Sequence, residues 1–90
     1  MSSDRTIKVV FKGNLVRFVG NIDFREDRLP SVGDRIVQAA KPYRSFALRA
    51  YMEDYIEFRH DGGMAKDKFV WDVATTVRLS YPEFQFILEE

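Results

Sequence analysis

Cysteine is absent from the sequence, which excludes disulfide bonds, thiolate nucleophiles and cysteine-based zinc sites. Only one histidine occurs, His60, and no serine lies in a Gly-x-Ser-x-Gly arrangement, so no nucleophilic triad is recognisable. The pair Gly62-Gly63 is followed by Lys66 but lacks the spacing of a phosphate-binding loop. We therefore predict that the protein is not an enzyme, has no catalytic residues and uses neither a cofactor nor a metal.

Long apolar runs are also absent. No segment reaches the roughly 18 apolar residues that a membrane-spanning helix needs, and the opening Met-Ser-Ser-Asp-Arg does not resemble a secretory signal. We expect a cytoplasmic protein without membrane association. Its 90 residues, of which 46% are hydrophobic, predict one domain over residues 1–90, with residues 1–4 frayed.

The clearest pattern in the sequence is an alternation of apolar and polar residues, which is typical of strands with one buried face. The longest alternating segment is residues 69–79, in which one parity holds Phe69, Trp71, Val73, Val77 and Leu79. It predicts a central strand that contributes much of the core. Residues 5–12 and 15–24, separated by Gly13-Asn14, predict a hairpin, and residues 84–89 predict a final strand.

The segment that follows Pro30 allows two structures. In the first structure, a turn at Gly33 leads into a short strand at residues 35–38. The competing interpretation is a helix that Ser31 caps, with Asp34 completing a capping box. We expect the strand, because the glycine, isoleucine and valine residues of this segment are weak helix formers.

Residues 43–60 are predicted to form a helix. Pro42 stands at its start, basic residues lie in its last turn and a Gly-Gly pair follows, as is typical of helix boundaries. The alternative is a strand, since alternate residues from Phe46 onwards are apolar except at Asp54. In that case the glycine pair belongs to a hairpin turn.

These elements predict an α+β fold with a mostly antiparallel sheet. The order of strand, strand, short strand, helix, strand, strand is that of the OB-fold. We expect a small five-stranded barrel or curled sheet, OB-like or SH3-like, with one helix at about residues 43–60. If residues 43–60 are a strand, the fold class becomes all-β.

A metal-binding pattern is present only if residues 43–60 are helical. Glu53, Glu57 and His60 then lie along one side of the helix, and the last two have the Glu-x-x-His spacing of carboxylate-bridged iron sites. Those sites use the motif twice, whereas this sequence has it once, so we predict a solvated acidic face and no metal. On a strand, Glu57 and His60 point to opposite faces.

The outward parity of the predicted strands mixes basic and apolar residues and contains no aromatic residue. We predict that this face binds a partner through Lys8, Val10, Lys12, Arg17, Val19 and Arg78. Further apolar residues of the same parity are Leu15, Val70 and Ile87.

The charge distribution bears on the nature of the partner. Residues 1–49 hold ten Lys and Arg against five Asp and Glu, and residues 50–90 hold four against nine, so the chain is neutral overall. We predict an interaction protein that binds a protein partner or a second copy of itself, as a homodimer. Single-stranded nucleic acid is the alternative partner, because the basic track is present although aromatic stacking platforms are missing from it.

Overall fold

The fold combines one five-stranded sheet with two helices. The structure is a computed structural model that describes residues 6–25, 31–61 and 66–89; the predicted fraying of residues 1–4 and the predicted turn at Gly62-Gly63 lie outside the described residues. The elements are β1 (Thr6–Lys12), β2 (Leu15–Gly20), α1 (Val32–Ala40), β3 (Phe46–Tyr51), β4 (Tyr55–His60), α2 (Lys66–Ser80) and β5 (Gln85–Glu89).

The strands lie in the order β3-β4-β2-β1-β5, and all neighbours are antiparallel except β1 and β5, which are parallel. β1 and β2 form the predicted hairpin, with Gly13 in its turn at a φ of 60°, a conformation that favours glycine. The prediction of an α+β domain with a mostly antiparallel five-stranded sheet is confirmed. However, β3 and β5 lie at opposite edges, so the sheet is open and does not close into an OB-like or SH3-like barrel.

The segment predicted as the central strand is helix α2, so that prediction was wrong. The buried residues of α2 are Phe69, Val73 and Val77, which follow one another at intervals of four and therefore lie on one side of a helix. Residues four apart also share the parity of a strand, so these three fit both patterns. Trp71 and Leu79 fit only the helix, because they are 66% and 81% exposed, whereas the predicted strand would bury them.

Residues 46–60 form a hairpin, so the helix predicted for residues 43–60 was also wrong. Strands β3 and β4 pair in antiparallel fashion, and the N–H of Met52 donates to the carbonyl of Tyr55 at 2.9 Å across the turn. Asp54, which interrupts the apolar alternation, lies in that turn. The single strand of the alternative interpretation is therefore two strands, and the all-β class is wrong because the domain contains two helices.

The segment after Pro30 forms helix α1, the alternative that the capping box indicated. The prediction of a short strand at residues 35–38 was therefore wrong. The Ser31 hydroxyl accepts from the N–H of Asp34 at 3.1 Å, and the Asp34 carboxylate accepts from the N–H of Ser31 at 3.4 Å. This box satisfies N–H groups that the first turn of a helix leaves without internal partners. Together with burial of Ile36 on the sheet, it outweighs the weak helix propensity of Gly33.

The hydroxyl of Tyr51 connects the end of β3 to the start of α1. It lies 3.0 Å from the Asp34 carboxylate and 3.1 Å from the Ser31 hydroxyl. The carbonyl of Phe24 is a third neighbour, at 3.2 Å. Burial raises the pKa of the Tyr51 hydroxyl above its ordinary value, because a phenolate would lose hydration here. A Cβ atom on Gly33 would lie 2.4 Å from this hydroxyl, so the contact requires glycine.

The core is organised around the ring of Phe69. This ring stacks on Phe46 with centroids 3.8 Å apart, and it meets the rings of Phe18, Phe58 and Tyr43 nearly edge-on. Because these partners come from β2, β3, β4 and the α1–β3 connection, Phe69 fixes α2 above the middle of the sheet. Helix α1 packs beside α2, so both helices cover the same face.

We predict that Phe69 and Trp71 respond very differently to truncation. Phe69→Ala should lower the free energy of unfolding by about 3 to 5 kcal/mol, because it leaves a cavity among packed rings. Trp71→Ala should change it by less than about 0.5 kcal/mol, because the indole is mostly exposed. Urea denaturation measures both values. As Trp71 is the sole tryptophan, acrylamide should also quench the native fluorescence readily. A shielded tryptophan would support the strand that the sequence predicted.

We also predict that Gly33→Ala destabilises the protein, although alanine is the better helix former. The added methyl group overlaps the Tyr51 hydroxyl and the Phe24 carbonyl, which should cost about 1 to 3 kcal/mol in urea denaturation. Gln38→Ala is the matched control, since Gln38 is an exposed residue of the same helix and its replacement should be neutral within about 0.5 kcal/mol. Equal stability of the two variants would mean that Tyr51 does not contact α1 as described.

Candidate interaction surface

One face of the sheet is not covered by either helix. The helices pack against the face that holds Ile7, Val9, Val16 and Phe18. Side chains alternate along a strand, so the intervening residues point to the other side, which we call the open face. Within the described residues, the open face carries Thr6, Lys8, Val10, Lys12, Leu15, Arg17, Val19, Ala47, Arg49, Ala50, Tyr55, Glu57, Arg59, Gln85, Ile87 and Glu89.

Glu57 lies at the centre of the open face, yet it is only 5% exposed. The guanidinium of Arg17 donates to its Oε1 at 3.0 Å, and Nε of Arg49 lies 3.6 Å from its Oε2. The Arg17 guanidinium also lies over the ring of Tyr55, 4.5 Å from the centroid, in cation–π geometry. Carboxylate and ring together hold Arg17 in place while about half of its side chain, 49%, stays exposed.

A shallow depression lies beside this pair, with a volume of about 330 Å³. Its aliphatic lining comes from the β1–β2 hairpin, and its charged lining includes Lys12. The full lining consists of Val10, Lys12, Leu15, Arg17, Val19 and Glu57. The three aliphatic side chains are partly buried although no described element covers them, because the long basic side chains around them shield part of their surface. The depression therefore combines apolar walls with a cationic rim.

Five of the six predicted partner-binding residues lie together on the open face. Lys8, Val10, Lys12, Arg17 and Val19 follow β1 and β2, where Lys8 stands opposite Val19 and Val10 opposite Arg17.

Arg78 does not belong to this group, and its assignment to the same face was wrong. It lies exposed in the last turn of α2. The error follows from the prediction that residues 69–79 form a strand. Val70 was assigned to the open face for the same reason. It is a partly buried residue of α2 that packs against the core. Leu15 and Ile87 lie on the open face as their parity predicted.

The sequence analysis missed the residues that β3 and β4 contribute to the open face. These include Arg49, Tyr55, Glu57 and Arg59. The signal was the strand parity of residues 55–60, which places Tyr55, Glu57 and Arg59 on one side, but the helix interpretation concealed it. The open face therefore does contain an aromatic residue, Tyr55, contrary to expectation.

The open face is positively charged although the chain is neutral. Its described residues include five basic side chains, Lys8, Lys12, Arg17, Arg49 and Arg59. Two carboxylates, Glu57 and Glu89, oppose them. Neutralisation between the two halves of the chain does occur, since Arg17 of the basic half pairs with Glu57 of the acidic half, but it is incomplete on this face.

The metal pattern considered for residues 53–60 is not assembled. Glu53 lies in the turn before β4, and Glu57 points to the open face while His60 packs against Phe46 and Phe11 on the other side. In the described ranges, no three His, Cys, Asp or Glu side chains are placed to share a metal ion. Neither of the two described helices has the length and apolar character needed to cross a membrane.

No protein-family model, curated protein or solved structure matches this chain.

We predict that the two arginines contribute unequally to stability. Arg17→Met should cost about 1 to 2 kcal/mol, because it removes a charge-assisted hydrogen bond to a buried carboxylate and a contact with the Tyr55 ring. Arg49→Met should cost less than about 1 kcal/mol, because its ion pair is longer and its side chain is 56% exposed. Urea denaturation of both variants tests this order. The reverse order would contradict the arrangement around Glu57.

Proposed function

We propose that the protein is a non-enzymatic interaction protein whose open face binds the acidic surface of a partner protein. The observation that carries this proposal is the pairing of an apolar depression with a fixed guanidinium. Arg17 is held by Glu57 and Tyr55 on a sheet face that no described helix covers. A fixed cation beside apolar surface is typical of interface centres, where arginine and aromatic residues are enriched.

The chemistry of the depression defines what the partner presents. Val10, Leu15 and Val19 offer aliphatic contact, and Lys12 and Arg17 stand at the rim. A glutamate or aspartate of the partner can accept hydrogen bonds from the outward N–H groups of Arg17, while an adjacent aliphatic side chain fills the depression. Because Arg17 is already held in place, less side-chain entropy is lost on binding than for a freely rotating arginine.

Charge argues against a second copy of the chain as the occupant of this face. A two-fold symmetric contact places the same patch on both subunits, so five basic residues would meet five basic residues with only two carboxylates on each side. Like charges brought together in this way oppose association. An acidic partner removes that repulsion, so we favour a different protein over the homodimer at this face.

The aromatic content favours protein over single-stranded nucleic acid. Binders of single strands combine a basic groove with aromatic rings on which successive bases stack. Tyr55 is the one aromatic side chain among the described residues of the open face, and Arg17 already lies over its ring. Stacking of several bases therefore has no platform there, and nucleic acid is an outcome that the experiment below distinguishes.

We predict that an acidic, aliphatic peptide binds the open face. A peptide of glutamate and leucine, titrated into ¹⁵N-labelled protein, should shift the amide signals of β1, β2 and β4. Reversal of Lys12 and Arg17 to glutamate should weaken binding by about tenfold or more, because two attractions become repulsions. Since Arg17 also pairs with the buried Glu57, circular dichroism must show that this variant is folded. The control is the double variant Arg44→Glu, Arg78→Glu, which makes the same change in net charge at exposed residues off this face and should bind normally.

Two outcomes of the peptide experiment would contradict the proposal. Shifts confined to the helices would place the peptide on the other face of the sheet. Equal losses of binding in both double variants would show that net charge alone drives the association. A matched peptide with glutamine in place of glutamate should bind weakly if carboxylates are recognised. If an oligo-dT strand binds instead, with an affinity that falls steeply with salt, the open face is a nucleic-acid surface.

A further inference from the structure

The two edges of the sheet differ in a way that bears on self-association. β5 is one edge, and among the described residues no strand lies on its outer side. It is apolar on both faces: Ile87, on the open face, is 47% exposed and Leu88, on the helix side, is 43% exposed. The strand contains no proline and no lysine, and its pairing with β1 has no bulge; its one charged residue, Glu89, stands at its end, so the centre lacks the features by which proteins usually block edge pairing.

The opposite edge, β3, carries such features. Its pairing with β4 is interrupted between Leu48 and Ala50, and a bulge there disturbs the row of backbone groups. The intervening residue is Arg49, whose charged side chain is directed to Glu57. A bulge and a charge make β3 a poor template for another strand, so the protection is confined to one edge.

From this contrast we propose that β5 pairs with β5 of a second copy of the chain, antiparallel and about a two-fold axis at Ile87. The sequence of β5 is symmetric in character around that residue. Ile87 then faces Ile87 of the other copy, Phe86 faces Leu88, and Gln85 faces Glu89. Apolar side chains meet on both faces, and the amide of Gln85 can donate to the carboxylate of Glu89.

Register explains why a second copy fits this edge. A slip by one residue would turn each side chain of the added strand to the other face, and a slip by two would bring apolar residues opposite polar ones. Pairing centred on Ile87 avoids both, and it separates the two Glu89 carboxylates by two residues on either side of the axis. A strand with the complementary pattern is present in every copy of the chain.

The resulting dimer has one continuous ten-stranded sheet. A two-fold axis perpendicular to a sheet keeps each face on its own side, so both open faces point the same way. The dimer does not depend on the proposed binding of an acidic partner, which involves β1, β2 and β4. If that binding also occurs, the dimer presents two equivalent sites side by side, and a multivalent partner gains avidity.

The size of the contact sets the expected strength. Five residues of an edge strand form an interface below about 1,000 Å², which is the range of weak and reversible association. Sedimentation velocity of the whole chain between roughly 10 µM and 1 mM should therefore show a reversible monomer–dimer equilibrium. A protein that remains monomeric throughout this range overturns the proposal.

Two variants of matched exposure locate the contact. Ile87→Lys should raise the dimer dissociation constant by at least about tenfold, because two like charges meet at the axis. Leu48→Lys, on the blocked edge, changes a residue that is 46% exposed and should leave the dissociation constant unchanged. Circular dichroism verifies folding, and Ile87→Thr, which keeps a β-branched side chain, replaces Ile87→Lys if the latter unfolds. Equal effects at residues 48 and 87 overturn the proposal.

The absence of cysteine allows a direct test of the register. Ile87→Cys introduces the sole thiol, and in the proposed pairing the two copies of residue 87 lie at the Cα separation of directly opposed strand residues, about 4.5 to 5.5 Å. A disulfide spans such a distance, so mild oxidation should give a covalent dimer. Leu48→Cys should give no covalent dimer under the same conditions. Equal crosslinking of both variants, or of neither, would exclude antiparallel pairing at Ile87.

Discussion

The packing of Phe69 on the ring cluster of the sheet is the contact on which the remaining structure depends. One side chain of α2 touches rings from β2, β3, β4 and the α1–β3 connection, including the stacked ring of Phe46 at 3.8 Å. Helix α2 is therefore held over the middle of the sheet and α1 is held beside it. Both helices lie on one face, and among residues 6–25, 31–61 and 66–89 no second layer covers the other face, so the described side chains that point there meet solvent or a partner.

The difference between the helix-covered face and the open face explains why Glu57 can be buried without belonging to the core. It points away from the helices, and its shielding comes from Arg17 and Arg49 on neighbouring strands. Burial of a carboxylate is unfavourable unless opposite charge and hydrogen bonds compensate for the lost hydration. The two guanidinium groups provide that compensation, and Glu57 in turn orients them. The same ion pairs therefore stabilise Glu57 and arrange the cationic surface.

The sequence predicted β1, β5 and the start of β2 because each has a plain alternation of apolar and polar residues, although β2 ends at Gly20 and not at residue 24. It failed at α2 because Phe69, Val73 and Val77 satisfy period two and period four together, and the exposure of Trp71 and Leu79 depends on what α2 packs against. It failed at residues 43–60 because the helix signals at Pro42 and after His60 are local, whereas the pairing of β4 with β2 is not.

The candidate surface was predictable to the extent that it lies on the β1–β2 hairpin. Five predicted residues are neighbours there, because a hairpin places its outward parity on one face without help from the rest of the fold. The strand parity of residues 55–60 places Tyr55, Glu57 and Arg59 on one side, but the position of that side next to Arg17 depends on the long-range pairing of β2 with β4. The part of the surface that fixes Arg17 is thus the part that only the tertiary structure reveals.

For the proposed binding, the separation of basic and acidic residues into different surface regions matters more than the net charge of the chain. The open face is basic, whereas Asp23, Glu53 and Asp54 line a second depression at the end of the sheet where β3 turns into β4. The opposing fields of the two regions cancel at long range because the chain is neutral, and salt screens what remains beyond a Debye length of about 8 Å. In the proposed function, attraction to an acidic partner would therefore operate at contact distance, where it would select orientation and complementary shape more than accelerate encounter.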